Sequence, residues 1–219
     1  MIAEAWRAAP SRRYDAVVFD LLTALLDSWS LWNAVAGDSE AGLRWRREYL
    51  RITYGASAYR PYEALVADAA EAVGLSPRLA DDLAARYGEL RPWPGVVNEL
   101  VRLQASGVKL GVATNCSGVL GGIAASCVGV PFDTVVTAER AGFYKPDPAP
   151  YRLGLAELHV APERCLFVAG SAYDLVGASR VGLDIWWHDR IGMAKPPEAP
   201  EPLCHTRDLA GMAAFVLGD

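Results

Sequence analysis

The sequence predicts an α/β protein: a parallel sheet covered on both faces by helices, with a second, helical unit inserted after the first strand. Three observations predict it. Apolar runs that are continuous or β-branched, and so read as buried strands, alternate with helically spaced segments from residue 93 onward. One such run stands alone near the start, at 16–20, and the roughly 65 residues in between are amphipathic and helical without interruption.

The first run, AVVFD, ends on a single aspartate, Asp20, after which the chain turns apolar again through Leu21, Leu22, Thr23, Ala24 and Leu25. LWNAVAG, EAGLRWRREYLRITYGA, YRPYEALVADAAEAVG and PRLADDLAARYGEL then follow with helical spacing and no strand run among them. With Asp27-Ser28 and the proline-rich RPWPG (91–95) as hinges, the expected division is a cap of residues 28–92 on a core of 1–27 and 93–219. In the core, GVVNELVRLQASG (95–107) reads as a helix stopped by Gly107, VKLGVAT (108–114) and TVVT (134–137) as strands, and PAPYRLGLAELHV (148–160) as a helix with Pro148 near its start. CLFVAG (165–170) is the next strand, AYDLVGASRVG (172–182) a helix stopped by Gly182, and DIWWHD (184–189) a fifth strand. KPPEAPEPL (195–203) reads as a surface loop before a last helix in RDLAGMAAFVLG.

Composition narrows the function. With 52% hydrophobic residues in 219, the chain can bury a substantial core. The net charge of −5 is spread over 21 basic and 26 acidic residues without a block of one sign, which argues against a nucleic-acid surface and for a small-molecule partner. No stretch approaches the ~18 apolar residues of a membrane span and no leader pattern opens the chain, so a cytoplasmic protein is expected. Cys116, Cys127, Cys165 and Cys204 have neither CxxC spacing nor a dense framework, and read as reduced thiols rather than disulfides or zinc ligands.

In an open α/β sheet, ligands bind beyond the carboxyl ends of the strands. Those ends carry Asp20, Thr114 and Asn115, then Lys145 in GFYKPD, then Ser171 and Asp174 in GSAYD. Each has a blander reading. Asp20 could only cap a helix, Lys145 could be a solvated loop residue, and Arg46 in RWRRE could lie on a solvated helix face. Tyr151 could be core packing with its hydroxyl at the rim; Trp29, Trp32 and Trp45, at helical spacing, read as the interior of the insert; His159, His188 and His205 are scattered and receive no role.

Taken in order, VVFDLLTALLDS, VATN, YKPDPAPY and LFVAGSAYDLVGASRVGL around a helical cap resemble the haloacid dehalogenase superfamily, over nearly the whole chain. The resemblance implies a Rossmann-like core with an inserted cap, and Asp20 as nucleophile. Phosphatases of that superfamily place a general acid two residues after the nucleophile and a further acid on magnesium; here those positions are Leu22 and Gly170. Leucine cannot protonate a leaving alkoxide and a lost carboxylate weakens a Mg²⁺ site, so no metal and no cofactor is expected.

The chain is similar instead to the L-2-haloacid dehalogenases. That similarity implies Arg46 on the substrate carboxylate, Asn115 on the halide side, Thr114 in place of a serine, Lys145 and Tyr151 in the KPD stretch, and Asp174 near the hydrolytic water. A homodimer through the cap belongs to the same expectation. Halide leaves as a stable anion and needs no acid, and apolar Leu22 keeps the nucleophile poorly hydrated.

The match departs at Leu22-Thr23-Ala24, where the family has aromatic-glycine-threonine, and at Ala169 and Ser171, where dehalogenases have serine and asparagine. Ala24 removes a hydroxyl from the nucleophile. Thr23 could replace it from a shifted position through a changed turn, since a β-branched residue resists positive φ. The reading is therefore metal-independent hydrolysis of a small 2-substituted carboxylic acid through an aspartyl ester. The rivals are a phosphohydrolase with a degenerate motif and a small-acid-binding or interaction protein without turnover.

Overall fold

The computed structural model describes residues 12–219. Within them a six-stranded, wholly parallel sheet runs in the order β3-β2-β1-β4-β5-β6: β1 is Ala16–Phe19, β2 Lys109–Thr114, β3 Thr134–Thr137, β4 Cys165–Ala169, β5 Asp184–His188 and β6 Cys204–Thr206. The strand order reverses beside β1, so the crevice between the carboxyl ends of β1 and β4 is the ligand position of a doubly wound sheet. Asp20 follows the last residue of β1, and Gly170 and Ser171 follow the last residue of β4.

Both faces of the sheet are covered, which is why its strands read as continuous apolar runs. Val17 and Phe19 pack toward α5 (Val96–Ala105) and α10 (Met212–Leu217); Ala16 and Val18 pack toward α8 (Pro148–Leu158) and α9 (Asp174–Ser179). The four cysteines are unpaired, with Cys116 and Cys165 buried and Cys127 and Cys204 half-buried. No helix among the described residues is long and apolar enough to cross a membrane.

Three elements differ from the expectation. β6 adds a strand just after the proline-rich loop. It is short and lies at the sheet edge, so its residues are only partly buried and leave no apolar signature. α6 (Gly118–Cys127) and α7 (Ala138–Ala141) were not read from the sequence; GVLGGIAASC is apolar all round and rich in glycine, which hides its period. Gly121 is needed there, because a Cβ would come within 2.5 Å of the Thr137 methyl.

The insert is four helices: α1 (Ser28–Ala36), α2 (Ser39–Ala56), α3 (Tyr62–Ala72) and α4 (Leu79–Ala85). Asp27 and Asp38 cap the first two through the Ser30 and Ala41 amides. The chain segments joining insert to core lie side by side: Leu26 pairs with Pro92, the Asp27 amide donates to the Arg91 carbonyl and the Trp93 amide to that of Leu25. Trp32 and Trp45 are buried with their rings 4.4 Å apart, and Trp32 lies 5.3 Å from Tyr49, so these tryptophans form the interior of the insert. Trp32→Ala is expected to lower the stability of the protein by about 3–5 kcal/mol, read from the urea-unfolding midpoint.

Candidate active site

Asp20 starts a single wide turn of helix, Leu21–Leu25, closed by the Leu26 amide on the Leu21 carbonyl. Its Oδ2 accepts from the Thr23 amide (2.9 Å), the Thr23 hydroxyl (2.5 Å) and the Ala24 amide (3.2 Å). The carboxylate does cap a helix, and it does so with one oxygen. The hydroxyl missing at Ala24 is supplied one residue earlier. The widened turn permits this without strain: the only non-glycine residues with positive φ among those described are Ser57 and His159.

Two residues outside the expected set hold this turn. Trp93 Nε1 donates to the Thr23 carbonyl (3.1 Å), and His188 Nδ1 lies 2.7 Å from the Ala24 carbonyl. His188 ends β5 at the same sheet edge, and that position was its only sequence signal. Gly170 leaves the turn its space, since a Cβ there would sit 2.2 Å from the Ala24 nitrogen and 2.3 Å from the Thr23 hydroxyl.

Lys145 is fully buried, with Nζ 2.7 Å from Asp20 Oδ1 and 3.0 Å from Asp174 Oδ1. Its backbone is pinned by Asn115, whose Oδ1 accepts from the Lys145 amide (2.7 Å) and whose Nδ2 donates to the Lys145 carbonyl (3.1 Å). Asp174 Oδ1 also accepts from Tyr151 (3.1 Å) and from Tyr54 of the insert (3.3 Å), a residue that sequence reasoning missed because its partner is 120 positions away.

Two carboxylates thus share one ammonium, and they titrate apart. Burial pushes Asp20 up, but the Lys145 charge and the hydrogen bonds from Lys145 and Thr23 outweigh it and hold the carboxyl below its usual 3.8. Burial also raises Asp174; Lys145 pulls it down, Asp20 pushes it up again, and it settles at about 6. Burial would lower Lys145, and the two aspartates overcome that and raise it.

Arg46 is 1% exposed, whereas Arg44 and Arg47 beside it are exposed. Its guanidinium carbon lies 4.8, 5.4 and 5.5 Å from the rings of Trp32, Trp29 and Tyr49, and Nη2 donates to Ser28 Oγ (3.0 Å), which in turn donates to the Leu22 carbonyl. Among the described residues it has no carboxylate partner, and Nε and Nη1 have no hydrogen-bond acceptor. Arg46 and Asp20 line one cavity of about 20 Å³, room for about one water molecule. Leu22, Thr114, Asn115 and Ser171 line it too, with the Thr114 hydroxyl unpartnered. Lys145, Tyr151 and Asp174 are not among its lining residues; Asp174 borders it through Tyr54, and its Oδ2 is buried with no hydrogen-bond partner among the described residues. Leu50 lines both this cavity and an outer groove of about 660 Å³ along which Arg44, Arg47 and Arg51 stand.

These residues do not fit a magnesium ion. The position of the extra metal acid is Gly170, where no side chain has room, and the two carboxylates that remain are bridged by the Lys145 ammonium.

A buried carboxylate at the switch point of a parallel sheet, beneath a helical insert, is the plan of a capped α/β hydrolase. The family model for haloacid dehalogenase-like hydrolase matches residues 17–187, and the chain is an enzyme of that family. It is 29% identical to (S)-2-haloacid dehalogenase H-109 of Pseudomonas putida over 93% of this chain and 98% of the relative. It is 26% identical to haloacetate dehalogenase H-2 of Moraxella sp. (strain B), over 84% and 89%. The solved L-2-haloacid dehalogenase of Xanthobacter autotrophicus, with chloropropionic acid covalently bound, shares the fold: TM-score 0.83 at 21% identity, covering 94% of this chain and 99% of that one.

The cluster has a consequence for stability. With its folded-state pKa raised to about 6, Asp174 binds a proton more tightly in the folded chain than in the unfolded one. Its ionised form therefore costs stability above pH 6, and the cost is gone below about pH 4. Asp174→Asn is expected to be more stable than the parent at pH 8, with the gap closing as the pH falls from 6 to 4 in paired urea-unfolding curves.

Proposed function

We propose that the enzyme hydrolyses small 2-halocarboxylic acids without a metal, through an ester on Asp20, in the cytoplasmic setting expected from the sequence. The observation that carries this is Arg46: a buried guanidinium with no counter-ion among the described residues, on the same cavity as Asp20. A buried cation of this kind needs an anion, and a substrate carboxylate on its free Nε and Nη1 supplies one.

With three hydrogen bonds on Oδ2 and one ion pair on Oδ1, Oδ1 is the stronger nucleophile. It attacks the α carbon in line with the carbon–halogen bond; the O–C bond forms, the halide departs with the bonding electrons, and no proton moves. Leu22 suits this step, because nothing has to protonate the leaving group. Water then attacks Cγ of Asp20. The Cγ–Oδ1 bond breaks, Oδ1 leaves as the hydroxyl of a 2-hydroxy acid, and the oxygen from water completes a new Asp20 carboxyl, which releases its remaining proton to solvent to restore the carboxylate. Asp174 accepts the proton from the attacking water and returns it to the departing alkoxide.

Charge times this second step. Esterification removes the negative charge of Asp20 that helps raise Asp174, while Lys145 stays in place, so Asp174 falls below its resting value and is ionised when a base is required. The cavity holds about one water, too little space for a substrate, so entry requires the insert to lift. We assign that motion to a cap of residues 28–92 pivoting on the paired segments at Leu26 and Pro92.

Halide release from 2-chloro and 2-bromo acids is expected to proceed unchanged in the presence of a chelator and to vanish in Asp20→Asn. Arg46→Met is expected to lower kcat/KM by roughly 100-fold or more, the cost of stranding a buried charge partner. Phosphate release from phosphate esters that needs added Mg²⁺, with no halide release, would contradict the reading. In the pH profile, the acid limb of kcat is expected below pH 6, because kcat reports the loaded enzyme and there Asp174 no longer faces a charged Asp20.

A further inference from the structure

The contact between Thr23 and Gly170 joins two departures from the family pattern that looked independent in the sequence. Threonine replaces a glycine in the turn after the nucleophile, and its hydroxyl occupies the space where a side chain at 170 would begin. That hydroxyl ends 2.5 Å from Asp20 Oδ2, beside the Thr23 amide at 2.9 Å and the Ala24 amide at 3.2 Å. The geometry is held from behind. Trp93 Nε1 fixes the Thr23 carbonyl, and with it the peptide plane that carries the Ala24 amide, while His188 fixes the next carbonyl along.

Resting on the proposed ester mechanism, we infer that Thr23 is a catalytic residue for the second half of the reaction only: its hydroxyl, with the two amides, forms a three-donor cradle for the negative charge that water attack places on Oδ2. The two halves make opposite demands on these donors. During attack on carbon, the charge of Asp20 is consumed, so donors to Oδ2 favour the starting carboxylate over the transition state and do not speed the step. During ester hydrolysis, the carbonyl oxygen of the ester is Oδ2. Water adding to Cγ moves the C=O π electrons onto it, and the three donors are already in place around that charge. Collapse returns those electrons to the C=O bond and expels Oδ1 with the product. Gly170 is the other half of the device, because a Cβ there would meet the Ala24 nitrogen at 2.2 Å and the Thr23 hydroxyl at 2.3 Å and so push two of the three donors out of place.

The test separates the two halves. Thr23→Val keeps the shape and removes the donor, Thr23→Ser keeps the donor, and Thr23→Ala removes it without adding bulk should the valine variant fail to fold. Each is mixed with bromoacetate and followed by rapid-quench halide release and by intact-protein mass. Thr23→Val and Thr23→Ala are expected to release one halide per protein in a burst no slower than the parent, then turn over about 100-fold more slowly, as loss of one such donor entails. The ester is expected to accumulate on Asp20, and Thr23→Ser to behave like the parent. Burst and steady rate falling together with no ester accumulating would overturn the inference, as would ester accumulating equally in Thr23→Ser. A parent protein that releases no halide would instead sink the proposed reaction, and this inference with it.

Discussion

The site depends on one shared cation. Lys145 lies fully buried between Asp20 and Asp174, and neither carboxylate would tolerate its burial without that ammonium. The arrangement gives the two acids different characters from a single partner: Asp20 is held below its usual value and close to Lys145, and Asp174 is raised to about 6. Much of the surrounding fold serves that geometry. The parallel order places the end of β1 beside the end of β4, and Asn115 at the end of β2 grips the Lys145 backbone from both sides. A buried ion cluster is poor insurance for stability, and Asp174 in its ionised form costs some; its value lies in chemistry.

The departures at Thr23 and Gly170 are best understood as one change. A Cβ at 170 would meet the Ala24 nitrogen at 2.2 Å and the Thr23 hydroxyl at 2.3 Å, so the turn that places a donor on Asp20 Oδ2 from Thr23 leaves no room for a third carboxylate at the site. Around this pair the insert adds Arg46 and Tyr54, one lining the cavity and one bonded to Asp174, so core and insert both contribute side chains to the site.

Much of this was legible in residue order. Buried strands in a doubly covered sheet leave continuous apolar runs, so β1 to β5 and the polar residues at their ends could be read directly. What escaped lacked such a trace. β6 is too short and too exposed at the sheet edge, and α6 is apolar on every side. Arg46 is an intermediate case: among the look-alike arginines of RWRRE only the family resemblance singled it out, and the packing of Trp29, Trp32 and Tyr49 against it shows that it is the buried one. Trp93 and His188 act on backbone carbonyls of the turn, and a carbonyl has no side-chain identity that a sequence could reveal. Thr23 was visible as an anomaly, but its meaning required the space at Gly170.

The central claim is that Asp20 carries the ester and water attacks Asp20 rather than the substrate. One turnover with the protein in excess, in water enriched in heavy oxygen, tests it most directly. The account predicts that the heavy atom is found in the Asp20 carboxylate and that the hydroxy acid released in that turnover is unlabelled. Heavy oxygen in the hydroxy acid with none in Asp20 would mean that water attacks carbon itself, and would contradict the account.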